Sequence, residues 1–133
     1  MEEYFGYDLN DWENAKLEAE QYLIKQAAIL GSGEYIFYST LASAIKTIQI
    51  DAHGAAMSHL LGQISEKTYF AHGFMLSALV VSKDHKIPGE GFFELAKELY
   101  KDNKVYEAKW YFSEVNKIKK YAKEKNMPKR NLA

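Results

Sequence analysis

Apolar residues near the start of the chain recur at the spacing of an α-helix. Asn10 or Asp11 can cap this helix, and the repeated positions are Trp12, Ala15, Ala19, Tyr22, Leu23, Ala27 and Leu30. The sequence "GSG" at 31–33 is typical of a helix end. Residues 1–33 are therefore predicted to form an N-terminal helix.

The next stretch predicts a short strand followed by two helices. "EYIFY" is too short for a helix and rich in strand formers. Ser39 is expected to cap a helix over "TLASAIKTI", and a tight turn near "IDAHG" leads into a helix from about Ala52 to Ser65. Two short helices joined by a tight turn predict a helix-turn-helix.

The stretch from Phe74 to Leu99 predicts a strand, a turn and a helix. "MLSALVV" has almost no polar interruption, which is typical of a strand that is covered on both faces and central in its sheet. In the turn "SKDHKIPGEG", Pro88 fixes φ, and Gly89 and Gly91 are expected to adopt backbone angles closed to other residues. The helix "GFFELAKELY" then follows.

A last helix is predicted from about Asp102 to Lys125. Its expected buried stripe is Val105, Ala108, Phe112, Val115, Ile118 and Ala122. The chain is thus predicted to be one domain, residues 1–133. It comprises an N-terminal helix (1–33), a winged-helix-like core with a small β-sheet (34–100), a C-terminal helix (101–125) and a flexible tail (126–133). The predicted class is α+β, mostly α.

Composition narrows the chemistry. The chain has 133 residues, 47% of them hydrophobic and 26% charged, which is typical of a globular domain. It has no cysteine, which excludes disulfides, thiolate nucleophiles and cysteine-based zinc sites. No apolar stretch approaches the length of a spanning helix, and no secretion signal is recognisable. We expect a cytoplasmic protein that does not bind membranes.

The charges are unevenly distributed along the chain. Residues 1–34 hold eight acidic side chains and two lysines, whereas residues 104–133 hold nine basic side chains and three glutamates. One interpretation is that the first and last helices pack together and attract each other. The other is that the basic C-terminal part binds nucleic acid.

Four motifs between residues 37 and 99 occur in a characteristic order: "FYSTLA", "AAMSHLLGQI", "MLSALVV" and "PGEGFFELA". In this order and spacing, residues 38–99 resemble the winged-helix DNA-binding domain of alkylguanine alkyltransferases and alkyltransferase-like proteins. The resemblance implies DNA binding through the second helix. "LSALV" replaces the "PCHRV" of that family, so the acceptor cysteine and its histidine are absent and alkyl transfer is excluded. The arginine finger of the recognition helix is also missing.

A second resemblance rests on "LLGQIS", "MLSALVV", "PGEGFFELA" and "KWYFSEVNKI". These segments resemble a family of small bacterial and phage proteins. The resemblance implies no particular activity.

Nucleic-acid binding is the favoured function, with six candidate contacts. They are Ser58, His59, Gln63 and Lys67 on the recognition helix, and Lys83 and Lys86 as phosphate contacts on the turn. The alternative is a protein-interaction module, such as a regulator or a host–phage conflict protein, that binds a partner or a second copy of itself. Trp110, Tyr111 and Tyr121 could then be interface anchors, or they could pack against the first helix.

Catalysis is not predicted. The four histidines are not at zinc-binding spacing, Ser77 lies in no nucleophile elbow, and no phosphate-binding glycine motif is present. We therefore predict no catalytic residue, no metal ligand and no cofactor. An enzyme with an unfamiliar site would show a cleft of titratable groups around Glu90 and His85.

Overall fold

The computed structural model describes residues 3–126, which form a mostly helical α+β fold, as predicted. The helices are α1 Leu9–Ala27, α2 Tyr38–Ala44, α3 Ala55–His72, α4 Glu90–Tyr100 and α5 Ala108–Asn126. The strands β1 Glu3–Tyr4 and β2 Tyr7–Asp8 pair antiparallel, and β3 Ile36–Phe37 and β4 Val80–Val81 pair in parallel. Leu76–Leu79 and Asn103–Tyr106 are 3₁₀ helices. None of the helices within the described residues has the length and apolar character that crossing a bilayer requires.

Helix α1 is the central helix of the core, and it begins earlier than predicted. Asp8, not Asn10 or Asp11, caps it: its Oδ1 accepts a hydrogen bond of 2.8 Å from the Asn10 backbone N–H. Its buried face consists of Trp12, Ala15, Ala19, Leu23 and Ala27. The small residues let neighbouring elements approach α1 closely, and α5 packs along it.

The predicted turn near "IDAHG" is present, since Gly54 N–H donates to Asp51 O at 3.2 Å, but it does not join the two helices directly. Helix α2 ends at Ala44 and has no side-chain cap from Ser39, and α3 begins only at Ala55, so the connection spans residues 45–54. The backbone N–H groups of Lys46 and Thr47 donate to Glu18 Oε1 on α1, at 2.9 and 3.0 Å. These bonds fix the connection to α1, and Ile45, Ile48 and Ile50 become buried. Helix α3 also runs past Ser65 to His72, where Gly73 ends it with φ of 79°.

Glu18 is expected to make this connection sensitive to acid. Partial burial alone would raise the pKa of its carboxyl. The hydrogen bonds from Thr47 and Lys46, with the Lys46 charge, outweigh burial and lower this pKa below its usual value. Because the folded-state pKa is lowered, the stabilisation is present above the unfolded-state pKa. It is lost as the pH falls through the folded-state value. At pH 7, Glu18→Ala should lower the free energy of unfolding by about 1–2 kcal/mol, a value discounted for solvent exposure.

Urea unfolding at pH 7 and at about pH 3 checks this expectation, because the difference from wild type should shrink once Glu18 is protonated. Glu13→Ala is the matched control on α1. Among residues 3–126, Glu13 pairs only with Lys16 at the surface, at 3.0 Å, so its loss should cost less than about 0.5 kcal/mol. Equal costs for the two variants would contradict the anchoring role of Glu18.

The predicted strand "MLSALVV" is also wrong for most of its length. Leu76–Leu79 is a 3₁₀ helix, and only Val80–Val81 forms a strand, paired at one edge with β3. Side chains of α3 and α5 accept hydrogen bonds from the backbone N–H groups of this segment. In a wide sheet, a neighbouring strand would accept these bonds. Met75 N–H donates to Glu114 Oε2 at 2.8 Å, Leu76 N–H to Thr68 Oγ1 at 3.1 Å and Ser77 N–H to Ser65 Oγ at 3.0 Å. The segment is fully buried, as predicted, without belonging to a wide sheet.

The glycines of the turn before α4 do not have the predicted backbone role. Gly89 has φ of −70°, and Gly91 lies in the first turn of α4, so neither adopts the left-handed region. Lys86 does so instead, with φ of 57°. Its N–H donates to Ser82 O at 2.9 Å, and Ser82 N–H donates to Ile87 O at 3.1 Å, which closes the turn. A positive φ therefore does not explain why residues 89 and 91 are glycine.

Helix α5 begins at Ala108, later than predicted, and buries only part of the predicted stripe. Val115, Ile118 and Ala122 are buried, as predicted, whereas Ala108 is exposed. Its buried residues are Tyr111, Glu114, Val115, Ile118, Lys119 and Ala122, whereas Phe112, predicted to be buried, is 54% exposed. Val105 is buried, but in the preceding 3₁₀ helix. Asn126 is the last residue of α5. The rest of the predicted tail, 127–133, lies outside the described residues.

Candidate nucleic-acid interface

Helix α5 and the loop that follows α1 border an open groove of about 680 Å³. We call this surface the lysine groove. Its lining includes Leu30, Gly31, Gly33, Tyr35, Phe112, Lys119, Lys120 and Lys123. Lys120 and Lys123 are exposed, and the exposed ring of Phe112 lies on the same helix. Cationic and aromatic side chains therefore line the same groove.

The turn before α4 adds two more lysines at one end of this groove. A smaller depression of about 250 Å³ is lined by Lys86 and Phe37, and it shares Leu30, Gly33 and Tyr35 with the lysine groove. Lys83 Nζ lies 5.7 Å from the centroid of the Phe37 ring. The fold thus places the two predicted phosphate contacts, Lys83 and Lys86, at a depression that adjoins the lysine groove.

The exposed lysines of this surface are not engaged in ion pairs within the described residues. Among residues 3–126, Lys83, Lys86, Lys120 and Lys123 form no salt bridge. Helices α1 and α5 do pack together, but within the same residues no ion pair joins them. The α1 carboxylates are used elsewhere: Glu18 binds the 46–47 backbone, and Glu20 pairs with Lys67 at 2.9 Å. The surface has five lysines and two glutamates, Glu34 and Glu124, so it remains basic.

Lys119 differs from the other groove lysines because it is 9% exposed and fixes the groove wall. Its Nζ donates to Gly31 O at 2.8 Å and to Glu34 O at 3.3 Å, and it lies 5.6 Å from the Tyr35 ring centroid. Burial lowers the pKa of Lys119, and the neighbouring Lys123 adds to this effect, while Glu34 opposes it. Lys119 therefore positions the 31–35 loop beside Lys120 and Lys123.

Three of the predicted contacts on α3 line a different pocket. Ser58, His59 and Gln63 border a pocket of about 380 Å³ between α3 and α4, which we call the α3–α4 pocket. Its other lining residues are Tyr38, Leu61, Gly62, Glu66, Ser77, Gly89, Gly91, Phe92 and Leu95. Of the six candidate contacts, three therefore lie at this pocket. Lys83 and Lys86 lie at the depression that adjoins the lysine groove, and Lys67 lines neither.

Gln63 and Lys67 are engaged within the fold. Gln63 Oε1 accepts from Trp12 Nε1 at 2.9 Å and from Lys16 Nζ at 3.3 Å, and its Nε2 donates to the Tyr4 hydroxyl at 3.0 Å. Lys67 is held by Glu20. Ser58 and His59 are exposed, and the His59 ring lies 5.0 Å from the Phe5 ring. The face of α3 therefore offers little free positive charge to a phosphate backbone.

The aromatic residues predicted as interface anchors are used in the core. Tyr111 is 5% exposed, and its hydroxyl donates to Ala78 O at 2.7 Å. Trp110 packs edge-on against Tyr100 at 5.2 Å, and Tyr121 lies 4.5 Å from the His72 ring. For the alternative prediction, packing against the first helix, α5 does pack along α1, and the ring contacts of Trp110 and Tyr121 are made with residues of α4 and α3. The exposed aromatic side chain of α5 is Phe112.

The groups considered for catalysis are not gathered in a cleft. His85 and Glu90 are exposed, and neither lines the α3–α4 pocket. Ser77 lies at that pocket, but its hydroxyl is 2.6 Å from the Ser65 hydroxyl, with no histidine as partner. Within residues 3–126, no cluster of three or more His, Asp or Glu side chains could hold a metal ion.

Sequence reasoning missed the aromatic half of the lysine groove. "EYIFY" was interpreted only as a strand, yet Tyr35 and Phe37, which alternate with the buried Ile36, face the groove and the adjoining depression. Period-two alternation in a short strand was the signal that these two rings share a face.

Comparisons of this chain with protein-family models, with curated proteins and with solved structures found no match.

Proposed function

We propose that this protein is a cytoplasmic, non-catalytic module that binds nucleic acid through the lysine groove. The observation that carries the proposal is the meeting of Lys83 and Lys86 with Lys120 and Lys123 around Tyr35 and Phe37. Lysines that neutralise phosphates release counterions from the nucleic acid, which is the main source of sequence-independent affinity. In this proposal residues 34–100 act as a winged-helix-like core whose turn, more than its second helix, contacts the backbone.

The aromatic rings favour single-stranded nucleic acid. Unpaired bases can stack on exposed rings, whereas bases within a duplex are already stacked on each other. Tyr35 and Phe112 line the groove and Phe37 lies at its end, each within reach of a lysine that can contact the neighbouring phosphate. We expect single strands to bind more tightly than duplexes of the same length.

A salt titration of binding tests this proposal. The anisotropy of a fluorescent oligothymidylate, and of a duplex of equal length, is measured with increasing protein at several salt concentrations. We expect affinity to fall with salt, with a slope of about −0.7 per neutralised phosphate for the single strand. Lys120→Glu/Lys123→Glu and Lys83→Glu/Lys86→Glu should each weaken binding by roughly tenfold or more.

Two further variants separate this site from other parts of the surface. Lys97→Glu, at an exposed position of α4, is the matched charge control and should bind almost as well as wild type. Lys67→Gln tests α3: a loss larger than that of the groove variants would favour the recognition helix over the lysine groove. No binding at low salt would refute the proposal. Salt-tolerant self-association would then support the protein-interaction alternative.

A further inference from the structure

We infer that the α3–α4 pocket binds a small, largely apolar molecule with a single positive charge, of the arylalkylamine class. This inference does not depend on nucleic-acid binding. The pocket lies between the middle of α3, the start of α4 and Tyr38, and its volume of about 380 Å³ is in the range of small-molecule sites.

Three glycines line this pocket, and none of them has a positive φ that would require glycine. Gly62, Gly89 and Gly91 all lie outside the left-handed region, so alanine could adopt their conformations. A Cβ at Gly62 would lie 3.9 Å from Leu95 Cδ2, and one at Gly89 would lie 3.5 Å from Tyr38 Oη, both ordinary contacts. At Gly91 no atom lies within 4 Å.

Glycine in a helix weakens it relative to alanine, so Gly62 in mid-helix costs stability that its backbone angles do not require. What Gly62, Gly89 and Gly91 share is the pocket that their missing side chains leave open. This also accounts for Gly91 of "PGEG", whose predicted conformational role is not found. Gly89 is in addition the N-cap of α4, a position that favours glycine over alanine. Glycine at position 62 keeps the α3–α4 pocket open at a cost in helix stability, and we infer from this that the pocket binds a ligand.

The lining defines the chemistry of that occupant. Leu61, Phe92 and Leu95 supply apolar surface, which an aromatic or branched apolar body would cover. Ser58 and the Tyr38 hydroxyl are polar groups at its margin, and Tyr38 Oη already accepts from Gly89 N–H at 2.9 Å. Gln63 is fixed by Trp12 and Tyr4 and is therefore a rigid part of the wall.

The charge of the lining favours a cation. Glu66 is an exposed carboxylate at the pocket, and among residues 3–126 neither lysine nor arginine lines it. His59 also lines the pocket, and its ring packs against the Tyr4 and Phe5 rings. An anionic ligand would meet the Glu66 charge without a compensating lysine or arginine, whereas an ammonium group would pair with it. Glu90 in the first turn of α4 offsets the positive end of that helix, which otherwise would favour an anion.

Nuclear magnetic resonance with tryptamine as the probe tests the inference. Glycine amide signals are well separated in ¹H–¹⁵N spectra, so Gly62, Gly89 and Gly91 report occupancy directly. Titration with tryptamine up to about 1 mM should shift these three signals. The neutral analogue 3-methylindole should bind more weakly, and the anion indole-3-acetate more weakly still.

Variants at the pocket make the result specific. Glu66→Gln should weaken tryptamine binding by about tenfold, converting it to the affinity of 3-methylindole, because only the charge pair is lost. Glu94→Gln, on α4 but not lining the pocket, is its control and should change nothing. Gly62→Leu should abolish binding of both indoles while the fold remains intact; if it does not fold, Glu66→Gln alone decides.

Three outcomes would overturn the inference: no shift at the three glycines, tighter binding of indole-3-acetate than of tryptamine, or equal loss with Glu94→Gln. Lys120→Glu/Lys123→Glu should leave tryptamine binding unchanged. Failure of the nucleic-acid proposal would therefore be visible separately from failure of this one.

Discussion

Replacing Glu114 by alanine is expected to lower the free energy of unfolding by about 3 kcal/mol. Glu114 is completely buried on α5, where it accepts hydrogen bonds from Met75 N–H at 2.8 Å and from the Tyr100 hydroxyl at 2.7 Å. Lys117 completes the cluster at 2.9 Å from Glu114 Oε1. Alanine would leave Met75 N–H buried without an acceptor and would open a cavity in the core.

The cluster couples α5 to the corner that follows α3. Burial raises the pKa of the Tyr100 hydroxyl far above its usual value, and the hydrogen bond to Glu114 adds to this effect, so the phenol remains a proton donor. Lys117 also donates to Gly73 O at 3.1 Å, where the chain turns from α3 into the 3₁₀ segment. The Tyr100 hydroxyl oxygen lies 3.0 Å from the same carbonyl oxygen. Loss of Glu114 should therefore loosen both sides of this corner.

Chemical denaturation with far-UV circular dichroism measures the effect, with two comparison variants. Glu114→Gln keeps the size and one acceptor oxygen, so it should cost about 1–2 kcal/mol. Glu124→Ala, at an exposed position of the same helix, should change stability by less than about 0.5 kcal/mol. If Glu114→Ala were no more costly than Glu124→Ala, the buried cluster would contribute nothing to stability.

The helical parts of this fold could be predicted from local pattern because each long helix has a periodic apolar face. The pattern failed where side chains distant in sequence satisfy the backbone. "MLSALVV" has the composition of a buried strand, yet Ser65, Thr68 and Glu114 supply its hydrogen bonds. Likewise, Glu18 holds the 46–47 backbone away from a longer α2. The side chains that accept these hydrogen bonds cannot be recognised from the sequence next to the segments they hold.

The charged residues of the candidate site could be predicted from the sequence, but the way the fold brings them together could not. Charge counting identified Lys83, Lys86 and the basic C-terminal segment separately, because charge is visible in sequence. That they meet around Tyr35 depends on the packing of α5 along α1 and on the Lys119 contacts to the 31–34 loop. The stripe of α5 was misjudged by one residue, so Phe112 was assigned to the core and Tyr111 to the surface.

Replacing Thr68 by valine should cost about 2–3 kcal/mol, although the two side chains have nearly the same shape. Thr68 is 2% exposed, its hydroxyl donates to Phe74 O at 2.8 Å, and its oxygen accepts from Leu76 N–H at 3.1 Å. Valine would leave a donor and an acceptor buried without partners. Thr40→Val, at an exposed position of α2, is the matched control and should change stability by less than about 0.5 kcal/mol.

Amide hydrogen exchange distinguishes this local cause from a general loss of stability. In Thr68→Val, exchange at Leu76 should accelerate more than exchange in α1, because the hydroxyl acts directly on the 3₁₀ segment. The same segment leads into Val80–Val81 and then into the turn that bears Lys83 and Lys86. Acceleration that is uniform across the protein would contradict a specific role for the Thr68 hydroxyl. Faster amide exchange that extends to the turn bearing Lys83 and Lys86 would show that the buried hydroxyls of α3 help to position the lysines beside the lysine groove.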